Sequence, residues 1–219
     1  MAIIDEDNVV EELVVFLRNQ NIFSTAQRGV TTITEELDGT GSQLAFVLSN
    51  TPVRNVRGVT VGGVSKSLGA DYTVVYSTAT INFVVAPGAG TDNVDIQYDY
   101  GSTDKIYPDW PRPDLALSSF PRIAVDILDI PSRPGGFGNV NESEINFTVV
   151  VYDSTTKTIR DYITTIRTAF INNYNDFYYL KIINPTGTGP VISPGDEFHQ
   201  KILSQNIDFR SKFNLEVNS

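Results

Sequence analysis

Strict alternation of apolar and polar side chains over residues 206–217 constrains the fold more than any other feature of this sequence. The apolar set is Ile207, Phe209, Phe213, Leu215 and Val217, with Ser211 as its single polar member. The polar set is Asp208, Arg210, Lys212, Asn214 and Glu216. This pattern is typical of a strand in an antiparallel sheet that is covered on one face and exposed to water on the other.

Two segments with helical periodicity supply the cover that such a sheet needs. The first runs from about residue 7 to about residue 19, with Val9, Leu13 and Leu17 on one stripe. The second follows Ser154 and carries Ile159, Ile163, Ile166 and Phe170 at spacings of three and four. Further strands are predicted at residues 123–127, 145–151 and 177–183, the last followed by a long loop over 184–198. The order predicts an α+β fold in which an antiparallel sheet is covered by two helices.

Residues 36–101 differ from the rest of the chain in composition and in residue pattern. Short β-type runs recur there between Gly-rich turns, and Gly62-Gly63 between Val61 and Val64 is a hairpin signal. The predicted strands are residues 44–49, 56–61, 72–76, 80–85 and 94–100. We therefore expect an inserted small all-β sandwich or barrel at 36–101, within a discontinuous α+β core formed by residues 1–35 and 102–219.

Composition excludes several classes of protein. The net charge is -10, from 26 acidic and 16 basic residues, with no basic stripe to neutralise nucleic-acid phosphates. Cysteine is absent, so disulfides and Cys-based metal sites are excluded. No apolar run approaches the roughly 18 residues of a membrane span. The acidic start of the sequence is unlike a secretory signal, so we expect assembly in a cytoplasm.

The sequence contains few residues in patterns that indicate catalysis or the binding of a metal or a phosphate. His199 is the single histidine, and a hydrolase that uses it as a general base is one open interpretation, but no nucleophile elbow accompanies it. Asp92, Asp95 and Asp99 lie on or beside a predicted strand rather than in a calcium-loop spacing. The run Gly135-Gly136-Phe137-Gly138 lacks the Lys-Ser/Thr of a phosphate loop. We expect no enzyme activity, no cofactor and no metal.

Outside the insert, the order of elements resembles that of a known family. An opening amphipathic helix is followed by a strand that begins Phe120-Pro121-Arg122, and a second strand over residues 145–152 leads directly into the second helix. With the alternating strand at 206–217, this order is similar to the tail terminator and tail-completion (neck) proteins of tailed bacteriophages, over residues 5–35 and 115–219. Residues 61–64, 69–74, 80–83 and 86–87 resemble small β modules grafted onto phage virion proteins.

The resemblance implies a structural protein of the virion that is assembled in the host cytoplasm. Its subunits would form a homo-hexameric ring that terminates the tail tube, contacts the tube protein and the head connector or neck proteins, and lets DNA pass through without specific binding. A head-completion or connector protein of the neck is the alternative within this class. A carbohydrate- or surface-binding module of a tail protein is the alternative from another class.

Candidate interface positions follow from this assembly. Predicted strands and the loops beside them would pair between subunits, and Trp110, in a proline-rich connector, is either a plug in the core or an exposed anchor. The positions selected are Trp110, Arg133, Phe137, Ile145, Phe147, Val149, Arg210 and Lys212.

Overall fold

The computed structural model describes residues 6–108, 120–130, 132–133, 142–174, 177–193 and 202–213. Strands dominate, and the fold is broadly α+β with mostly antiparallel sheets. The helices are α1 (Glu6–Asn19), α2 (Thr25–Arg28) and α3 (Thr156–Asn172). The strands are β1 (Thr31–Gly39), β2 (Ala45–Val47), β3 (Val53–Val61), β4 (Val64–Lys66), β5 (Tyr72–Val75), β6 (Thr80–Phe83), β7 (Gly90–Tyr100), β8 (Ile106–Tyr107), β9 (Arg122–Asp129), β10 (Ser132–Arg133), β11 (Glu142–Asp153), β12 (Leu180–Thr188) and β13 (Leu203–Phe213).

The chain divides into two compact units. Unit 1 consists of Met1–Ile22 and Lys105–Ser219, and unit 2 is the continuous stretch Phe23–Asp104 between them. The boundary predicted near residue 36 is wrong, because it cuts through β1. That strand pairs with β7 from Thr31 opposite Tyr100 onward, so its first residues belong to the sheet of unit 2.

Unit 1 is built on a six-stranded sheet. Its order is β12-β13-β11-β9-β8, and β10 pairs with β11 beside this path. The pairs are antiparallel except β8 with β9, which is parallel. In the middle of the sheet, Phe147 lies opposite Phe209 on one side and Ile127 on the other. The longest strands, β11 and β13, therefore form the centre of the sheet.

Aromatic packing joins α3 to this sheet and α1 to α3. The ring of Phe170 on α3 lies 4.6 Å from that of Phe209 and 5.7 Å from that of Phe147, between centroids. Phe16 on α1 lies 4.9 Å from Phe170. The residues of α3 at the predicted three- and four-residue spacing are buried, as a helix packed along one stripe requires: Ile159, Ile163, Ile166 and Phe170.

The strand predicted at 177–183 is displaced in the structure. β12 runs from Leu180 to Thr188, so the predicted loop from residue 184 begins too early. Pro185 and Gly187 produced this error, because both residues are rare inside strands. Proline is tolerated on an edge strand, and β12 is at the end of the sheet.

Unit 2 contains two antiparallel sheets that share one core. The first has the order β1-β7-β3-β4 and the second β2-β6-β5. Buried side chains from both sheets form a single cluster, among them Phe46, Val59, Ile81 and Ile96. The hairpin predicted at Gly62-Gly63 is confirmed: Val61 pairs with Val64, and both glycines have positive φ, 56° and 78°.

Candidate assembly surface

Three of the selected interface positions belong to the core. Ile145, Phe147 and Val149 have no exposed surface, and their strand β11 is paired on both sides, with β9 and β13. The prediction that these side chains contact a neighbouring subunit is therefore wrong. The alternation identified an apolar face correctly, but the chain itself covers that face, since Phe170 packs on Phe147.

Arg210 and Lys212 are exposed, on the face of the sheet opposite to Phe209. Arg210 Nε donates to Asn146 Oδ1 at 3.4 Å. In register, Lys212 lies opposite Glu144 on one side and Lys181 on the other. This end of the sheet thus presents cationic side chains where β13 and β12 meet.

The remaining selected positions lie largely outside the described residues. Trp110 and Phe137 do so entirely, as do His199 and the glycines around Phe137. Arg133 is in β10, where its backbone pairs opposite Glu142, and its side chain is outside the described part of the chain. The interface predictions for Trp110, Arg133 and Phe137 stay predictions.

Sequence reasoning missed two exposed aliphatic side chains at opposite ends of the sheet. Leu128 on β9 is 54% exposed and Ile182 on β12 is 55% exposed. Each lies where the strand register shifts, between Ile127 and Asp129 for Leu128 and between Lys181 and Asn184 for Ile182. The sequence contains one signal for them, the adjacent apolar pairs Ile127-Leu128 and Ile182-Ile183. Neighbours in a regular strand face opposite sides of the sheet, so one member of each pair points away from the core.

Two of the aspartates considered for calcium, Asp95 and Asp99, bind other side chains of unit 2. Asp99 is fully buried and pairs with Arg28 at 2.6 Å and with Arg57 at 2.7 Å. Asp95 accepts a hydrogen bond from Thr60 Oγ1 at 2.8 Å. Within the described ranges, no group of three or more His, Cys, Asp or Glu residues is placed to hold a metal ion.

Arg28 is the centre of a buried ionic cluster in unit 2. Its guanidinium donates to both carboxylate oxygens of Asp104, at 3.0 and 2.8 Å, and to Asp99. Burial raises the pKa of Asp99, but the hydrogen bonds that its carboxylate accepts outweigh this effect and hold the pKa below its usual value. The cluster joins α2, near the start of unit 2, to Asp104 at its end.

Glu12 is a buried carboxyl on the otherwise apolar face of α1. Its side chain accepts hydrogen bonds from the backbone N–H groups of Tyr178 and Tyr179, which precede β12. Burial raises the pKa of Glu12 to about 7, against the lowering effect of these hydrogen bonds. Glu12 therefore fixes α1 to the start of an edge strand, and it titrates near neutrality.

The tyrosines of unit 2 do not form an aromatic platform. A carbohydrate-binding module would need exposed rings, and the sequence offers Tyr72, Tyr76, Tyr98 and Tyr100 for this role. Tyr72 and Tyr98 are buried in the core, and Tyr76 and Tyr100 are partly buried against it. The Tyr98 hydroxyl donates to Glu35 Oε2 at 2.7 Å.

Comparison with known proteins adds no assignment, because the sequence matches no protein-family model and no curated protein. In the described part of the chain, no helix has the length and apolar character that crossing a bilayer requires.

Proposed function

We propose that this chain is a structural subunit of a tailed-phage virion, which forms a ring at the end of the tail tube and joins it to the head or neck. The observation that carries the proposal is the order of elements within unit 1. α1, β8, β9, β10, β11, α3, β12 and β13 occur in this order in unit 1, and the residues of unit 2 are inserted in the sequence between α1 and β8. This is the order on which the resemblance to tail terminator proteins rests.

The packing of the helices supports a subunit with part of its sheet left for assembly. The tilted rings of Phe16 and Phe170 pack against each other, and Phe170 also packs on Phe147 and Phe209. We infer that α1 and α3 together cover one face of the sheet. On the opposite face Ala124, Val150 and Tyr152 are buried in a second cluster with Phe120 and Ile202, so we infer that only the part with the exposed Arg210 and Lys212 is available for neighbouring molecules.

The charge of the chain supports a passive role toward DNA. With a net charge of -10, copies arranged around a lumen present an acidic wall to the phosphate backbone. Like charges repel, so DNA passes without being held. In this function the protein works by assembly, and its oligomers end growth because cyclic symmetry closes on itself.

The test is binding to isolated tail tubes, observed by electron microscopy with the labelled full-length protein. We expect label at one end of each tube, because a terminator recognises the final ring of tube subunits. Label on DNA-filled heads but never on tubes would instead select the head-completion alternative. Label on neither structure would contradict a role at the head–tail junction.

A further inference from the structure

β1 is an edge strand of unit 2, and its outer edge is open. It pairs with β7 alone, from Thr31 opposite Tyr100 to Leu37 opposite Val94, and the register shifts after Leu37. All of unit 2 lies within one continuous stretch of described residues. No described strand pairs with the other side of β1, so this side presents backbone groups that are ready for hydrogen bonding.

The hydrogen-bond pattern of the sheet identifies which residues of β1 turn their backbone groups outward. Gly62 N–H donates to Asn93 O at 2.7 Å, so Asn93 directs its backbone groups to β3 and Val94 directs its own to β1. Val94 lies opposite Leu37, so Leu37 bonds to β7 and alternate residues of β1 direct their groups to the open side. These outward residues in the regular part of β1 are Thr32, Thr34 and Glu36.

The side chains beside this open edge are acidic. Ile33 and Leu37 pack against the core of unit 2, so Glu36 and the other outward residues carry their side chains on the outer face of the sheet. From the edge inward, the row that begins with Glu36 continues with Asp95, Thr60 and Ser65. Asp95 accepts a hydrogen bond from Thr60, a neutral donor. Two carboxylates therefore lie directly opposite each other with no basic residue in their row, and a cation brought to the edge stabilises them.

We propose that the open edge of β1 binds an extended basic segment of a partner protein, which joins the sheet as a further antiparallel strand. The backbone groups of Thr32, Thr34 and Glu36 pair with the segment, the mode in which extended peptides add to exposed sheet edges. Lysine or arginine at alternate positions of the segment then lies on the outer face, beside Glu36 and the exposed Asp38. The site belongs to unit 2 and does not depend on the proposed ring.

Length and charge select a basic partner segment over other occupants. A second copy that paired through its own β1 would bring Glu36 and Asp38 against the same acids. The other edge strands of unit 2, β2, β4 and β5, have only three or four residues, against nine in β1. Nucleic acid and acidic segments are repelled by a chain of net charge -10. A basic strand satisfies both the edge hydrogen bonds and the carboxylates.

Peptide binding to the full-length protein tests this site. The probe is a fluorescent peptide with capped ends, as long as β1 at nine residues, in which lysine and valine alternate. We expect saturable binding at low salt, with slower hydrogen exchange of the backbone amides of Thr32, Thr34 and Glu36. Because these amides point outward, their protection reports the pairing of a new strand, which attraction between charges alone does not produce.

Matched variants separate the contribution of charge from that of pairing. Glu36→Lys should weaken binding of the lysine peptide roughly tenfold, because an attractive charge pair becomes a repulsive one. This variant should fold, since it also removes the repulsion between Glu36 and Asp95. Asp161→Lys makes the same change in net charge on the exposed side of α3 and should bind like the wild type. A peptide N-methylated at its lysine backbone nitrogens keeps its charge but loses the pairing donors, so it should protect none of the β1 amides.

The outcomes decide the role of this edge separately from ring assembly. Protection of the three amides, with weaker binding to Glu36→Lys alone, supports the site. Binding without protection of β1, or equal binding of a peptide with glutamate in place of lysine, overturns it. Absence of binding overturns it too, and the acids of β1 then serve to keep the edge free of partners. The oligomeric state of the protein without peptide tests the ring independently.

Discussion

Glu12 shows how a single buried carboxyl makes the stability of unit 1 depend on pH. Its side chain is 9% exposed and accepts hydrogen bonds from Tyr178 and Tyr179, yet burial raises its pKa from 4.5 to about 7. The folded state therefore favours the protonated carboxyl. The stability that this preference contributes is fully present below about pH 4.5 and is lost as the pH rises through about 7.

Glu12→Gln should remove this dependence, because the amide oxygen can still accept the two N–H groups and does not ionise. Relative to wild type, the free energy of unfolding of Glu12→Gln should rise between pH 4.5 and pH 7.5 by up to roughly 3 kcal/mol. Urea denaturation at both pH values measures this change in the free energy of unfolding, with Glu36→Gln on the surface of β1 as the control. The same difference between variant and wild type at both pH values would contradict the account of Glu12.

At the scale of secondary-structure elements, the buried cluster around Arg28 explains where unit 2 begins and ends. Arg28 has no exposed surface and binds Asp99 on β7 and Asp104, while Thr32 on β1 donates to Asp99 at 2.5 Å. Removing one partner of a buried ion pair typically costs about 3–5 kcal/mol, because the other charge stays buried without compensation. Residues 23–30 and 102–104 are therefore part of the folding unit.

A pair of fragments tests this boundary. A fragment of residues 23–104 should fold alone, with dispersed amide resonances and a cooperative thermal transition. A fragment of residues 36–101 should not, since it lacks Arg28, Asp104 and the first half of β1. Arg28→Met in the longer fragment should lower its stability by about 3–5 kcal/mol. Equal stability of the two fragments would show that the cluster does not define the unit.

The elements also show which parts of the fold were accessible from the sequence. Helical spacing located α1 and α3, and alternation located β13, because each buries one face. β1 was missed because its two large apolar residues, Ile33 and Leu37, lie among acidic residues and form no alternating pattern. In the structure, backbone pairing with β7 holds β1 in the sheet. The interface assignment of Phe147 failed because a sequence shows that a face is apolar, not whether the chain itself covers it.

For the candidate surface, adjacent apolar pairs in the sequence marked Leu128 and Ile182, but which member of each pair is exposed became evident only once the register was known. Leu128 and Ile182 are exposed because each lies at an irregularity, and alternation carries no information on where a strand shifts. Lys181 and Lys212 are distant in sequence, and only the pairing of β12 with β13 places them opposite each other.

At the scale of the whole molecule, the proposed function requires closed assembly. Copies joined head-to-tail through two different surfaces give either a ring of fixed number or an open filament, and only a ring can end a tube. The charge of each copy adds repulsion between neighbours, so assembly should strengthen as salt screens it.

Native mass spectrometry of the full-length protein, with negative-stain imaging of the same sample, decides whether the chain forms closed rings. We expect one dominant assembled species of six copies, seen as closed rings, either in the purified protein or after addition of tail tubes. A protein that stays monomeric at high concentration and in the presence of tubes, or that forms open chains of variable length, would contradict it.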